Sequence, residues 1–333
     1  MNKFLKALSA DLKKKLKKKK MPSFEKPMLA TLTKDYFSDK EWIYERKFDG
    51  QRCLIFKNYD HISLKSRNNN SLNATYPELV VAAKKLKADQ LIIDGEVVAF
   101  KGKVTSFEKL QQRLGVKSEH KALSKNIHIY IYIFDILYLD GYELLKVPLH
   151  VRKSILKAAI TYKDPIRYTI HKNTKGKEFF NIACKKNWEG IIAKERNSTY
   201  VHARSPNWLK FKCVANQELV IGGYTDPAGS RVGFGALLLG YYKKGKFIFA
   251  GKVGTGFSDT LLRQLSARLK KIEIKKNPFH SDEMEGRNVH FVKPILVAEI
   301  GFEEWTKDNK LRQPRFLGLR TDKDAKKVVQ EKA

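Results

Sequence analysis

The first two thirds of the chain mix two hydrophobic spacings. Over 127–139, Ile127, Ile129, Ile131 and Ile133 fall on one side of an extended chain, and His128, Tyr130, Tyr132 and Phe134 on the other, which predicts the clearest strand of the sequence. EWIYERKF (41–48) and QRCLIFK (51–57) read as two strands joined at Asp49-Gly50, a good short-range turn signal. LIIDGEVVAF (91–100) is an apolar run interrupted by two acids. Helical signals alternate with these. Thr75-x-x-Glu78 with Pro77 in the first turn opens a helix through about Leu86, and Thr105-x-x-Glu108 opens another that shares Phe107, Leu110 and Leu114 on one face and stops at Gly115. A weaker helix over 178–186 leads to EGIIAK (189–194) and WLKFK (208–212).

After Cys213 the pattern changes to short strands with Gly-rich turns: ELVIGGY, GALLLGYY, KFIFAGKVG, VAEIGFEEW and RFLGLR, interrupted by one helix from Asp259 to about Lys271 behind Ser258. The expected architecture is α+β, a domain of antiparallel sheets and helices over 21–213 followed by a small closed β-barrel of the OB type over 214–333. The boundary falls near 213–217. Residues 1–20 stand apart as a Lys-rich arm, and no repeat of 20–50 residues is visible.

Composition narrows the class of partner. The 333 residues hold 66 Lys plus Arg against 35 Asp plus Glu, a formal charge of +31, while 42% hydrophobic and 11% aromatic content suffices for real cores. Such a charge points to a polyanion, most often nucleic acid. Nine Lys against one Asp put +8 in residues 1–20, leaving +23 on the body; the arm suits either a solvated, frayed tail or a DNA-gripping segment. No apolar run approaches the roughly 18 residues that span a bilayer, and the N-terminus lacks both the apolar core of a signal peptide and the Arg of a transit peptide. Membrane insertion and secretion are therefore not expected. Cys53, Cys184 and Cys213 are scattered, form no CxxC pair, exclude a four-cysteine zinc module and argue for a reducing, cytoplasmic compartment.

The sharpest candidate for chemistry is Lys47-Phe48-Asp49-Gly50-Gln51-Arg52, a KxDGxR hexamer. A nucleophilic amine needs its proton removed, and an ordinary Lys is only about 0.04% neutral at pH 7, so nearby cations or desolvation must lower its pKa. By itself the hexamer also suits a surface β-hairpin. Asp94 and Glu96 lie two apart on one face of an apolar segment, where carboxylates usually hold a partner, a metal or a ligand hydroxyl; a turn at Asp94-Gly95 is the alternative. Phe134 suits either core or base stacking. Glu189 is a second candidate cation ligand. Trp208, Lys210 and Lys212 share one face of WLKFK, and two cations so placed form a phosphate clamp as readily as a solvated edge.

In this order the segments resemble the nucleotidyltransferase motifs of ATP-dependent DNA ligases, in particular the ligase domain of bacterial end-joining ligase D. The resemblance runs from PMLATL near Met28 through RFLGLRTDKDAKKVV, and the segments IGGYTDPAGSRVGFGALLLG, AGKVGTGFS and LVAEIGFEEWTKDNKLRQPRFLGLR look specific to that branch. It implies a nucleotidyltransferase (adenylation) domain and an OB-fold domain, with no room for a polymerase or phosphoesterase module. It implies Lys47 as the nucleophile that becomes Lys-AMP, Glu45 near the adenine, and Arg52 and Arg67 on the nucleotide and later the DNA 5′-phosphate. Glu96 is implied near ribose and metal, Phe134 against adenine, Glu189 on the metal, and Lys210 and Lys212 on the α-phosphate. Arg320, Asp322 and Lys323 of RTDK would orient the departing pyrophosphate, approaching for the first step and withdrawing for DNA through a hinge near 213–217. Arg315, Lys194 and Arg204 flank matched motifs as further contacts.

The resemblance further implies ATP and Mg2+ or Mn2+ as cofactors, nicked or broken duplex DNA as partner, a Ku-like end-binding protein as a second partner, a monomer, a nucleoid-associated location, and a role in DNA repair. GTP-using capping enzymes and RNA ligases share the KxDG motif, and a non-enzymatic basic OB-fold protein would bind nucleic acid through aromatics and Lys. The latter gives no reason for Lys47, Glu96, Glu189 and Lys210 to occur in this order. An NAD-dependent ligase would need a longer chain with a four-cysteine zinc module.

Overall fold

A computed structural model describes residues 2–213, 215–280, 288–306 and 308–331. The chain divides into two compact units, one ending at Cys213 and one beginning at Val214. The first unit runs α1 (Lys3–Lys6), α2 (Ala10–Lys14), β1 (Lys17–Lys18), β2 (Leu29–Leu32), β3 (Asp39–Lys47), β4 (Gln51–Asn58), β5 (His61–Ser66), α3 (Pro77–Lys84), β6 (Gln90–Lys101), β7 (Val104–Thr105), α4 (Phe107–Gln111) and α5 (Glu119–Leu123). It continues through β8 (Ile129–Leu139), β9 (Tyr142–Glu143), α6 (Leu149–Ala159), β10 (Ile166–Tyr168), β11 (His171–Thr174), α7 (Gly176–Lys185), β12 (Gly190–Glu195) and β13 (Arg204–Lys212).

Two sheets result. The larger has the order β1-β9-β8-β6-β4-β5, with β10 and β7 on side branches; the smaller has the order β11-β3-β12-β13-β2. β8 shows why the larger sheet sits where it does. Ile129, Ile131 and Ile133 enter a core shared with α3, α4 and α6, while Phe134, Leu137 and Tyr138 enter a second core with Met28, Leu54, Phe56, Ile92, Tyr200 and Trp208. The second core joins the larger sheet to the smaller, so the far half of β8 is buried on both faces and loses its polar alternation. A third core, with Tyr44, Phe180, Ile191 and Phe211, seats α7 on the outer face of the smaller sheet.

Several local expectations change. β3 and β4 do not form a hairpin: β3 lies between β11 and β12, and β4 between β5 and β6. The Asp49-Gly50 link therefore crosses from one sheet to the other, and a Cβ on Gly50 would come 2.1 Å from the Val97 carbonyl oxygen. Asp94-Gly95 is no turn either; β6 is continuous there, and only its register with β8 shifts. Pro77 opens α3, but Thr75 donates to the Val116 carbonyl oxygen instead of capping, and the helix ends at Lys84. Ser106 rather than Thr105 caps α4, accepting from the Lys109 amide; the side chain of Glu108 lies outside what is described.

Residues 2–20 are not a frayed tail. Leu5 is wholly buried, Phe4, Leu8, Leu12 and Leu16 pack on the same core, and β1 pairs antiparallel with β9. Asn2 Nδ2 donates to Asp140 at 2.6 Å, and the Tyr138 hydroxyl donates to the Lys19 carbonyl oxygen at 2.8 Å. Cys184 and Cys213 also depart from expectation: a disulfide joins them, with Cα atoms 5.2 Å apart, tying the last turn of α7 to the residue that follows β13. Cys53 is buried, so the cysteine count carries no argument about compartment. No helix among the described residues is long and apolar enough to cross a membrane.

The second unit contains β14 (Ala215–Thr225), β15 (Leu237–Lys243), β16 (Lys246–Val253), α8 (Asp259–Lys270), β17 (Glu273–Ile274), β18 (Val289–Phe302) and β19 (Arg315–Leu319). They pair in the order β16-β15-β14-β18-β17, with β19 also on β18. Backbone bonds from Leu311 to Ala250 and from Phe316 to Thr255 tie the two sides of the sheet together, as a small closed barrel requires. Ser258 caps α8 by accepting from the Leu261 amide, and Leu262, Leu265 and Leu269 turn into the barrel core.

Candidate active site

The inner face of the smaller sheet carries most of the candidate chemistry in aligned rows. Lys47 on β3, Gly190 on β12 and Lys212 on β13 are in register, and Glu45, Ile192 and Lys210 form the next row. Directly opposed residues in a sheet point to the same face, so two candidate phosphate contacts share a face with the candidate nucleophile. Gly190 holds the first row together at φ +147°, where a Cβ would come 1.9 Å from the Phe211 carbonyl oxygen. The larger sheet contributes its own row, Arg52–Glu96–Tyr132, across β4, β6 and β8.

Lys47 makes an ion pair with Glu189. Burial pushes its amine down, but the negative field of Glu189, with Asp49 and Glu96, outweighs burial and holds the pKa above the ordinary value. This reverses the expectation that its surroundings lower the pKa: the charges that act on the amine most strongly are carboxylates. The same grouping tests for a metal. Among the described residues no cluster of three or more His, Cys, Asp or Glu is arranged to hold one. Glu189 nevertheless already holds a cation, the Lys47 ammonium, and Glu96 acts on the same point. Two hard carboxylates fit Mg2+ or Mn2+, which keeps several waters and takes further oxygens from phosphates.

Glu45 is 2% exposed and sits between two buried ammonium groups, Lys153 Nζ at 2.5 Å from Oε1 and Lys194 Nζ at 2.6 Å from Oε2. Burial pushes its carboxyl up, but the two cations outweigh that and hold it below the ordinary value. Lys194 is pulled below its own ordinary value by burial, opposed by Glu45 and reinforced by the like charge of Lys153. Lys153 reaches this position because its neighbour Arg152 anchors α6, bonding both oxygens of buried Asp135 at 2.8 and 2.9 Å.

Arg52 is held the same way. Its Nε and Nη2 bond Asp94 Oδ1 and Oδ2 at 2.5 and 2.6 Å, Nη2 also donates to the Met28 carbonyl oxygen at 3.1 Å, and the Tyr200 hydroxyl donates to Asp94 Oδ2 at 2.7 Å. Phe134 lies beneath two cations, the Arg52 guanidinium at 4.7 Å and the Lys194 ammonium at 4.3 Å from its centroid, and meets Trp208 edge-on at 6.1 Å. Lys47, Glu45, Arg52, Glu96, Phe134, Lys210 and Lys212 thus all belong to the two sheets of the first unit, and Glu189 directly precedes β12. Arg67 is half-buried just beyond β5, and exposed Arg204 donates to the Ala30 carbonyl oxygen.

Arg320, Asp322 and Lys323 belong to the second unit. There Arg320 bonds both oxygens of Asp322 at 2.9 and 3.0 Å and meets Glu299 at 3.3 Å, and Lys323 pairs with Glu218 at 2.6 Å. Burial pushes the Asp322 carboxyl up, but Arg320 outweighs it and holds the group below its ordinary value. Arg315 is exposed at the start of β19.

Sequence reading passed over Lys153, Asp94 as a partner of Arg52, and Tyr200. The signal for Lys153 was present: Leu149, Arg152, Lys153 and Leu156 fall at helical core spacing, and cations at such positions require buried partners. Nothing local marks Tyr200, which meets Asp94 only through the tertiary fold.

Comparison with known proteins places two family models on the chain, an ATP dependent DNA ligase domain over residues 27–212 and an ATP dependent DNA ligase C terminal region over 230–323. The chain is 35% identical over 92% of its length to a multifunctional non-homologous end joining DNA repair protein LigD of Mycobacterium tuberculosis, and 33% identical over 94% to a LigD of Pseudomonas aeruginosa. It spans 40% and 37% of those relatives' lengths. A solved structure described as mycobacterial DNA ligase D complexed with ATP and MES is similar over 92% of this chain and 98% of that one, at 33% identity and a TM-score of 0.66.

Proposed function

The chain belongs to the ATP-dependent DNA ligase family, and we propose that it seals 3′-hydroxyl/5′-phosphate breaks in duplex DNA through an adenylate carried on Lys47. The observation that supports this most is the row Lys47–Gly190–Lys212 beside Glu45–Ile192–Lys210, because three amines on one face suit a nucleophile flanked by two cations for a phosphate.

In the first step Lys47 gives up its proton, its nitrogen bonds the α-phosphorus of ATP, and the bond to the β-phosphate oxygen breaks to release pyrophosphate. Lys210 and Lys212 balance the charge on the α-phosphate. Phe134 offers a face to the adenine, and Glu45, fixed by Lys153 and Lys194, offers a carboxylate acceptor beside it. Arg52, braced by Asp94, and Arg67 hold the nucleotide and then the 5′-phosphate of the break. Glu96 and Glu189 are the residues that would hold Mg2+ or Mn2+, which when bound supplies further positive charge to the phosphates. In the second unit, Arg320 and Lys323 serve the departing pyrophosphate, with Asp322 bracing Arg320. AMP then passes to the 5′-phosphate, and the 3′-hydroxyl displaces it to close the backbone.

A sealing assay tests this. Nicked, cohesive-ended and blunt duplexes are offered with ATP, GTP or NAD and either metal, with and without a Ku-like protein. Sealing with ATP supports the proposal; no sealing with ATP on any substrate refutes it.

A further inference from the structure

Residues 3–20 lie before the matched ligase domains, yet they are folded onto the first unit by one consistent division of side chains. Phe4, Leu5, Leu8, Leu12 and Leu16 recur on one face and pack into the core of the larger sheet. Lys3, Lys6, Lys13, Lys14, Lys15, Lys17, Lys18, Lys19 and Lys20 all face solvent. Short caps and one strand fix the path: Asn2 caps α1, Ser9 caps α2, and β1 pairs Lys17 with Glu143 and Lys18 with Tyr142.

Few of these cations are neutralised. Lys14 pairs with Asp11 at 3.0 Å, and Lys19 with Glu143 at 2.7 Å and Glu25 at 3.4 Å. Among the described residues, Lys6, Lys13, Lys15, Lys17, Lys18 and Lys20 are exposed and make no ion pair. An exposed pair would stabilise the fold little, and an uncompensated cluster of like charges opposes folding. The buried leucines therefore account for the attachment, and the lysines are left with no role in it.

We propose that residues 3–20 form a lysine-studded clip that grips the phosphate backbone of duplex DNA, as a contact surface additional to the two ligase domains. Unpaired ammonium groups on a short, anchored stretch of backbone suit closely spaced backbone phosphates, and releasing counterions from those phosphates supplies the binding free energy. The clip also lies close in the chain to the site. From Lys20 the chain passes Met21 and Phe24, which pack on the core between the two sheets, and reaches Met28, whose carbonyl oxygen accepts from Arg52.

This inference rests on the reading of the chain as a DNA ligase, and the test separates the two. Lys13→Gln, Lys15→Gln, Lys17→Gln, Lys18→Gln and Lys20→Gln are combined, leaving every buried leucine in place. Binding to a nicked duplex is followed by fluorescence anisotropy across a salt series. Each lost phosphate contact lowers the slope of log affinity against log salt by about 0.9, so the clip predicts a fall of at least about 2 and weaker binding at low salt. Lys→Arg at the same five positions should keep the original slope. An unchanged slope in the Gln variant overturns the clip, as does unchanged DNA binding accompanied by loss of binding to anionic phosphatidylserine vesicles. If the unaltered chain itself does not bind the nicked duplex, the ligase reading fails instead.

Discussion

Replacing Asp94 by Asn should destabilise the first unit sharply, and the magnitude can be worked from its contacts. Asp94 has no exposed surface and receives three charge-assisted or hydroxyl bonds, two from Arg52 and one from Tyr200. Asn keeps one acceptor oxygen, which can satisfy Tyr200 or Arg52 but not the paired geometry, and its amide group faces another donor. Removing one partner of a buried ion pair costs about 3–5 kcal/mol, because the remaining charge is left without compensation. Arg52 keeps 17% of its side chain exposed, the Met28 carbonyl oxygen and the Phe134 ring, which argues for the lower end, about 3 kcal/mol. For a unit of this size that is a fall of roughly 6–12 °C in its thermal midpoint. Calorimetry and urea titration measure it. Adding Arg52→Met to Asp94→Asn removes the stranded guanidinium, so the double variant should be more stable than the sum of the single effects predicts. A loss under about 1 kcal/mol, or strict additivity, would refute the reasoning.

Glu45→Gln should cost stability in a pH-dependent way. Because the folded carboxyl sits below its ordinary 4.5, its contribution is complete above that value and is lost as pH falls through the folded value. The stability gap between the two proteins in urea should therefore be full near neutrality and narrow in acid; a constant gap contradicts the buried triad. Gly190→Ala forces a Cβ against the Phe211 carbonyl oxygen at a strained φ, so it should lose about 1–3 kcal/mol and most Lys47 labelling, and normal labelling would show that the row tolerates distortion. Leu5→Ala should cost about 2 kcal/mol by thermal melting if residues 2–20 are seated as described, and no cost would return them to a loose tail.

Strand alternation at 127–139 and the change of pattern at Cys213 were legible because each depends on local periodicity. The Asp49-Gly50 link was misread as a hairpin because a turn signal says that the chain bends and not which sheet it enters. The arm suits two readings in the sequence for a similar reason. Its lysines dominate the composition, while the leucines at four-residue spacing that seat it are the weaker signal in a short segment. The candidate residues stand in order in the sequence, but which of them share one sheet face does not. Lys153, Tyr200 and the Cys184–Cys213 bond join segments far apart in the chain, and only the packed sheets bring them together.

Mapping the adenylate to its residue decides whether Lys47 carries it. The protein is incubated with ATP and Mg2+ without DNA, digested, and its peptides are analysed by mass spectrometry for one added AMP. AMP is expected on the peptide containing Lys47, with its loss in Lys47→Ala and its release when a nicked duplex is added. AMP on another lysine, or labelling that persists in Lys47→Ala, would contradict it.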